Sequence, residues 1–135
     1  MTSPVVDGQP LAAALTEAMT AQGIAYAEGR KPTVAPGLPY IVGWFDAGTV
    51  EDRSLRSRDG WSTALVLQSY GATPESVRLA VRKGRTAVLG LTGAVVGGRT
   101  VLMPSHSEPP PMQRDDNVDP PIWWLSDEWR IRTSS

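Results

Sequence analysis

The stretch WSTALVLQSYGATPESVRLAVR, residues 61–82, decides the fold. Its first half is a strand pattern. Thr63, Leu65 and Leu67 alternate onto one face, and Ala64 and Val66 take the other. Apolar groups on both faces mark residues 61–70 as a central strand. Its second half opens a helix. Thr73 supplies a capping hydroxyl, Pro74 suits the first helical position, and Glu75 lies near the positive end of the helix dipole. Val77, Ala80, Val81, Val88 and Leu91 then recur at helical spacing, with Arg78, Arg82 and Arg85 on the flank. Gly84 costs this helix about 1 kcal/mol relative to Ala. Gly90 or Gly93 ends it after roughly 25 Å, at about 1.5 Å per residue.

Working toward the N-terminus, residues 46–60 are polar and too long for a simple hairpin connection. Residues 40–45, rich in aromatic and β-branched side chains, predict a strand covered on both faces. Residues 28–39 are punctuated by Gly29, Pro32, Pro36, Gly37 and Pro39, which predicts a loop. Leu11, Leu15, Ala18 and Met19 predict a helix over 8–22, with Asp7 as its cap, Pro10 in the first turn and Gly23 at its end.

Working toward the C-terminus, Gly97-Gly98 is a turn signal and residues 99–103 read as a strand. Residues 104–121 hold six of the 12 prolines, so they are expected to be extended and unable to pair as a central strand. In residues 123–133, Trp129, Ile131 and Thr133 share one face while Glu128, Arg130 and Arg132 share the other. That predicts a half-buried strand. The fold expected is α+β: a small antiparallel or mixed sheet of about four strands with two main helices, one packed on the sheet. At 135 residues the chain is expected to be one domain, 1–135, with a charged loop at 46–60 and a Pro-rich extended segment at 104–121.

Composition excludes several chemistries. With Cys 0 there is no disulfide, thiolate metal site or Cys nucleophile, and with His 1 no multi-histidine metal site. Formal net charge is −1, so no overall basic excess marks a general nucleic-acid binder. No apolar run approaches the roughly 20 residues of a membrane-spanning helix. No basic region followed by an apolar stretch opens the chain, so no secretory signal and no membrane partner are expected, and folding in a cytoplasm is.

No catalytic constellation emerges. His106 lies in Pro104-Ser105-His106-Ser107, but there is no Gly-x-Ser-x-Gly elbow, so it reads as a polar loop or strand-end histidine. Asp115, Asp116, Asn117 and Asp119 lack the spacing of a calcium loop and read as a solvated acidic loop or a partner for Arg114. The glycines at 90, 93, 97 and 98 are not followed by the Gly-Lys-Ser/Thr of a phosphate loop. No enzyme activity, cofactor or metal is expected. Two features suit binding. Arg53, Arg56 and Arg58 cluster in one loop, where guanidinium forks suit phosphates, although Asp52 and Asp59 dilute their charge and a solvated mixed-charge loop is the alternative. Trp123, Trp124 and Trp129 fall in the last 13 residues, which suits a protein interface or an aromatic anchor of a small core. The Pro-rich segment then reads as an arm lying on a neighbour.

An N-terminal helix is followed by Pro39-Tyr40-Ile41-Val42, a charged loop and a strand ending Leu67-Gln68-Ser69-Tyr70-Gly71. A helix opening Pro74-Glu75-Ser76-Val77-Arg78, two more strands and an end reading Glu128-Trp129-Arg130-Ile131 complete the order. In this order and composition, over residues 8–133, the chain resembles the small tail terminator (tail-completion, minor tail) proteins of long-tailed bacteriophages, particularly those of actinobacteria. The resemblance implies a virion protein of the tail or neck, assembled in the host cytoplasm. Its partners would be itself, as a homo-hexameric ring, the tail tube protein and a head-completion or connector protein, with non-specific contact to DNA passing the lumen. On that implication Arg53, Arg56 and Arg58 form a lumen or tube-facing loop. The N-terminal helix and residues 104–124, notably Pro109, Pro110, Pro111, Met112, Trp123 and Trp124, meet other subunits or the head side. Two alternatives stand beside it: a head-closure or connector protein of the same neck, and a small cytoplasmic nucleic-acid-binding regulator using the basic loop.

Overall fold

Helix α1 (Gln9–Ala21) leads into β1 (Ala25–Glu28), β2 (Tyr40–Phe45), β3 (Thr49–Val50) and β4 (Trp61–Gly71). Helix α2 (Pro74–Leu89) follows, then β5 (Val95–Val96), β6 (Arg99–Val101), β7 (Ser105–Ser107), β8 (Gln113–Asp115) and β9 (Ile122–Ser134). This is a computed structural model, and it describes residues 7–32, 38–50 and 60–134.

Local chemistry explains the helix starts. At α2 the Thr73 hydroxyl accepts the Ser76 amide and the Ser76 hydroxyl accepts the Thr73 amide, each at 3.2 Å, with Pro74 next in line. At α1 the capping residue is Gly8, one place later than expected, while the Asp7 carboxylate still accepts the Gln9 amide at 2.9 Å. Gly97 and Gly98 both have positive φ and close the two-residue β5–β6 hairpin, a turn that side-chain-bearing residues adopt only with strain.

The sheet overturns the expectation of about four strands. The described residues form one curled, mixed, nine-stranded sheet, and the protein is mostly β. Its order is β1-β2-β4-β9-β6-β5, with β3 also on β4 and β7 and β8 also on β9. Only β1–β2 is parallel. β4 is central: β9 pairs with it from Trp61↔Thr133 to Gly71↔Trp123. Along the other side of β9 run β6, β7 and β8 in series, opposite 133–134, 128–130 and 122–124. The Pro-rich segment is therefore not an unpaired arm. Its prolines fall between short paired runs, so β7 and β8 keep their ladder hydrogen bonds.

Both helices pack on one face of the sheet. Leu11, Leu15 and Met19 of α1 and Ala80, Ala87 and Val88 of α2 close over Ile41, Leu65, Leu67, Trp129 and Ile131, all buried. Burying each large apolar side chain contributes roughly 1.5–3 kcal/mol. Gly84 is buried on the sheet-facing side of α2, and an added Cβ would stand 3.1 Å from Ile41 Cδ1 and 3.5 Å from Leu67 Cδ1. Gly43 has the same cause within β2, because the Tyr26 side chain occupies the space above it.

Candidate functional site

The register of β9 sets the site. Asp127 lies opposite Leu67, so it points to the helix-covered face and is 2% exposed. Burying a carboxylate is costly unless it is paired and hydrogen-bonded. Arg85 of α2 supplies a two-pronged partner: its Nε donates to Asp127 Oδ2 at 2.8 Å and its Nη2 to Oδ1 at 3.0 Å. His106 Nε2 of β7 donates to Oδ1 at 2.9 Å, since an ionised carboxylate only accepts. Burial pushes the Asp127 carboxyl up, but the Arg85 and His106 hydrogen bonds outweigh it and hold the group below its ordinary range. The same contact raises the Arg85 pKa. The His106 ring also lies on Trp129, with centroids 4.4 Å apart. The cluster thus ties α2, β7 and β9 together. Among the described residues, no group of three or more His, Cys, Asp or Glu could hold a metal ion.

Beside this cluster a groove of about 420 Å³ runs between the outer face of α2 and the β8 end of the sheet. Arg78, Arg82, Arg85 and Thr86 of α2 supply its polar lining, and Val81 and Leu89 of α2 with Met112 and Leu125 supply its apolar lining. Arg85 is engaged by Asp127, whereas the exposed side chains of Arg78 and Arg82 make no hydrogen bond or ion pair among the described residues. Leu89 is 42% exposed. The surface is cationic on its wall and apolar on its floor, an arrangement suited to an acidic, partly apolar partner.

The residues singled out from sequence divide between two faces. Met112 lines the groove. Pro110 and Pro111 are exposed beside it, and Pro109 is half-buried. Trp123 and Trp124 are consecutive in a strand and so point to opposite faces. The Arg114 guanidinium lies 5.5 Å from the Trp123 ring centroid. Trp124 stacks at 6.4 Å on Tyr70, which stacks at 5.1 Å on Tyr40, forming a ladder on the face without helices. Arg53, Arg56 and Arg58 lie outside the described residues. Arg114 pairs with Asp116 at 2.6 Å, so the acidic loop takes the partner anticipated for it. Sequence reasoning noted Arg78, Arg82 and Arg85 only as a flank. Their i, i+4, i+7 spacing was the available signal for a shared face. Nothing in the sequence pointed to Asp127.

No protein-family model matches the chain, and no curated protein matches it. Solved structures do share its fold. A chain from the structure described as "Virion of native gene transfer agent (GTA) particle" matches with a TM-score of 0.65 at 17% identity, covering 99% of this chain and 100% of that one. A second solved structure matches with a TM-score of 0.50 at 13% identity, covering 93% and 96%. At such identities the likeness is one of fold.

Proposed function

We propose that this chain is a structural protein of a phage-type virion, acting in the neck as a ring that caps the tail tube, ends its polymerisation and joins tail to head. One observation carries the virion reading: the fold matches, end to end, a chain of a gene transfer agent virion. The finer assignment to the tail terminator rests on the sequence resemblance over residues 8–133. The mechanism is geometric. A heterologous contact closes into a ring when its rotation permits. One face of that ring complements the tube end, and the opposite face offers no surface for another tube ring. Catalysis is no part of this role. The partners are further copies of the chain, the tail tube protein and a head-completion protein, with DNA passing through the lumen.

The test adds purified protein to polymerising tail-tube protein and measures tube lengths by negative-stain imaging. Shortened tubes, each with density at one end, are the expected result. Tubes of unchanged length with a ring bound to the head-side connector would transfer the chain to head closure. A stable dimer whose DNA affinity falls steeply with salt would replace the virion reading with that of a regulator.

A further inference from the structure

We infer that the groove on α2 receives the acidic loop between β8 and β9 of a second copy of this chain. The groove offers two uncommitted guanidinium groups, Arg78 and Arg82, one turn apart on α2, above a floor of Val81, Leu89, Met112 and Leu125. None of its lining residues is acidic; Glu75 lines an adjoining recess that Arg78 and Arg82 also border. Cations alone would suit a phosphate chain. The apolar floor adds a demand that a nucleic-acid backbone does not meet, so the complementary occupant is a peptide carrying acids around an apolar side chain.

This chain presents such a peptide. Residues 116–121 join β8 to β9, and the two strands pair at the base of the loop, from Asp115↔Ile122 to Gln113↔Trp124. Asp115 Oδ1 accepts the Asn117 amide at 2.9 Å and shapes the turn. Beyond it stand Asp116, Val118 and Asp119, with Val118 41% exposed. Asp119 makes no side-chain hydrogen bond or ion pair among the described residues. Asp116 is held only by Arg114, in a pair whose side chains are 62% and 50% exposed, which exchanges at little cost. Two acids and a valine therefore face two arginines and an apolar floor. Groove and loop are different surfaces of one chain, so each copy gives one contact and receives another, a heterologous interface. The inference deepens the ring reading and rests on it for closure of the contact into a ring.

The experiment measures mass by light scattering and sedimentation over a concentration series. The variants are R78E/R82E, D116R/D119R and the four substitutions combined, with circular dichroism checking each fold. All four positions are exposed, so the fold is expected to persist. Either pair of reversals should weaken self-association at least about 30-fold, and the combined variant should recover it. A second readout uses the absence of cysteine from the chain. Oxidised L89C/V118C should give a ladder of intermolecular disulfides, whereas either single substitution should give dimers at most. Oligomers unaffected by the reversals would overturn the inference and leave the ring reading standing. So would a wild-type monomer yielding no ladder. Binding of a poly-glutamate peptide or an oligonucleotide by that monomer would assign the groove to another partner. Charge-dependent oligomers that fail to cap tubes would instead support the contact and refute the tube-capping role.

Discussion

Replacing Arg85 by Met should damage the protein more than replacing Arg85 and Asp127 together. In R85M the Asp127 side chain, 3% exposed, keeps only the His106 hydrogen bond at 2.9 Å. Breaking a buried ion pair by removing one partner costs about 3–5 kcal/mol, because an under-compensated charge stays behind. In R85M/D127L that charge is gone, and leucine fills the site against Leu67 and Trp129. The penalty should then fall to about 1–2 kcal/mol, since apolar replacements of buried pairs are often close to neutral. D127L alone should lie between the two. It frees Arg85, but that side chain is 39% exposed and regains water. For a chain of 135 residues, 3 kcal/mol corresponds to a fall in Tm of about 10 °C. Urea unfolding and thermal melts of the four proteins provide the measurement. The reasoning is refuted if R85M/D127L is as unstable as R85M, or if R85M lies within about 0.5 kcal/mol of wild type. Acid adds an independent check. The Asp127 pKa is lowered in the folded state, so its stabilisation is present above the unfolded value of about 3.9 and is lost as pH falls through the lower, folded one. Asp46 titrates in the same sense. Burial pushes it up, but the Thr63 hydroxyl and the Gly48 and Ala64 amides hold it down. The quantity to read is therefore the wild-type loss below about pH 4 minus that of D127L, which should be positive.

Thr73→Ala removes one half of the reciprocal cap and should cost about 1 kcal/mol by urea unfolding, with the m-value unchanged. Gly84→Val drives a branched side chain against Ile41 and Leu67 and should cost about 1–3 kcal/mol, even though valine is the better helix former. His106→Ala should release β7 selectively. Hydrogen exchange should speed up at 105–107 and 128–130 while the β4–β9 ladder opposite 123–127 keeps its protection.

Periodicity reveals an element only when the element is long enough to repeat. The 11 residues of β4, the 13 of β9 and the 16 of α2 each carry several cycles. Burial follows the expected faces along β4, at 128–133 of β9 and at Val77, Ala80 and Val88 of α2, whereas Val81, expected in the core, is only partly buried and lines the groove. The strands at Ala25–Glu28, Thr49–Val50, Val95–Val96, Ser105–Ser107 and Gln113–Asp115 have two to four residues each. A ser-his-ser run carries no hydrophobic signal at all, because β7 is specified by what β9 offers it: ladder hydrogen bonds, the Trp129 ring and the Asp127 carboxylate. The same limit hid the site. Asp127 sits among Trp129, Ile131 and Thr133 on the buried face of β9, where an acid contradicts the alternation unless an arginine 42 residues away reaches it. Gly84 shows the opposite case, for its cost in helix propensity was legible and its steric reason was not.

Strand β9 explains why the candidate surfaces are joined rather than merely adjacent. It pairs with β4 along one edge and with β6, β7 and β8 along the other, so these three late strands are all positioned by one 13-residue strand. Leu125 on that strand floors the groove, Asp127 two residues on anchors the helix that walls it, and Ile122 at its start pairs with the base of the acidic loop. Groove and loop therefore share a rigid frame. In a heterologous assembly the angle between the surface that gives a contact and the surface that receives it fixes how many copies close the ring. A loop hinged independently of the groove would leave that number undefined. In the inferred contact, the Arg85–Asp127 pair, by holding α2 against β9, would set one side of that angle, and the β8–β9 ladder the other. The proposed role, a ring that ends a tube with a fixed number of copies, would require such a frame, and the short strands β7 and β8 in the Pro-rich segment stiffen it.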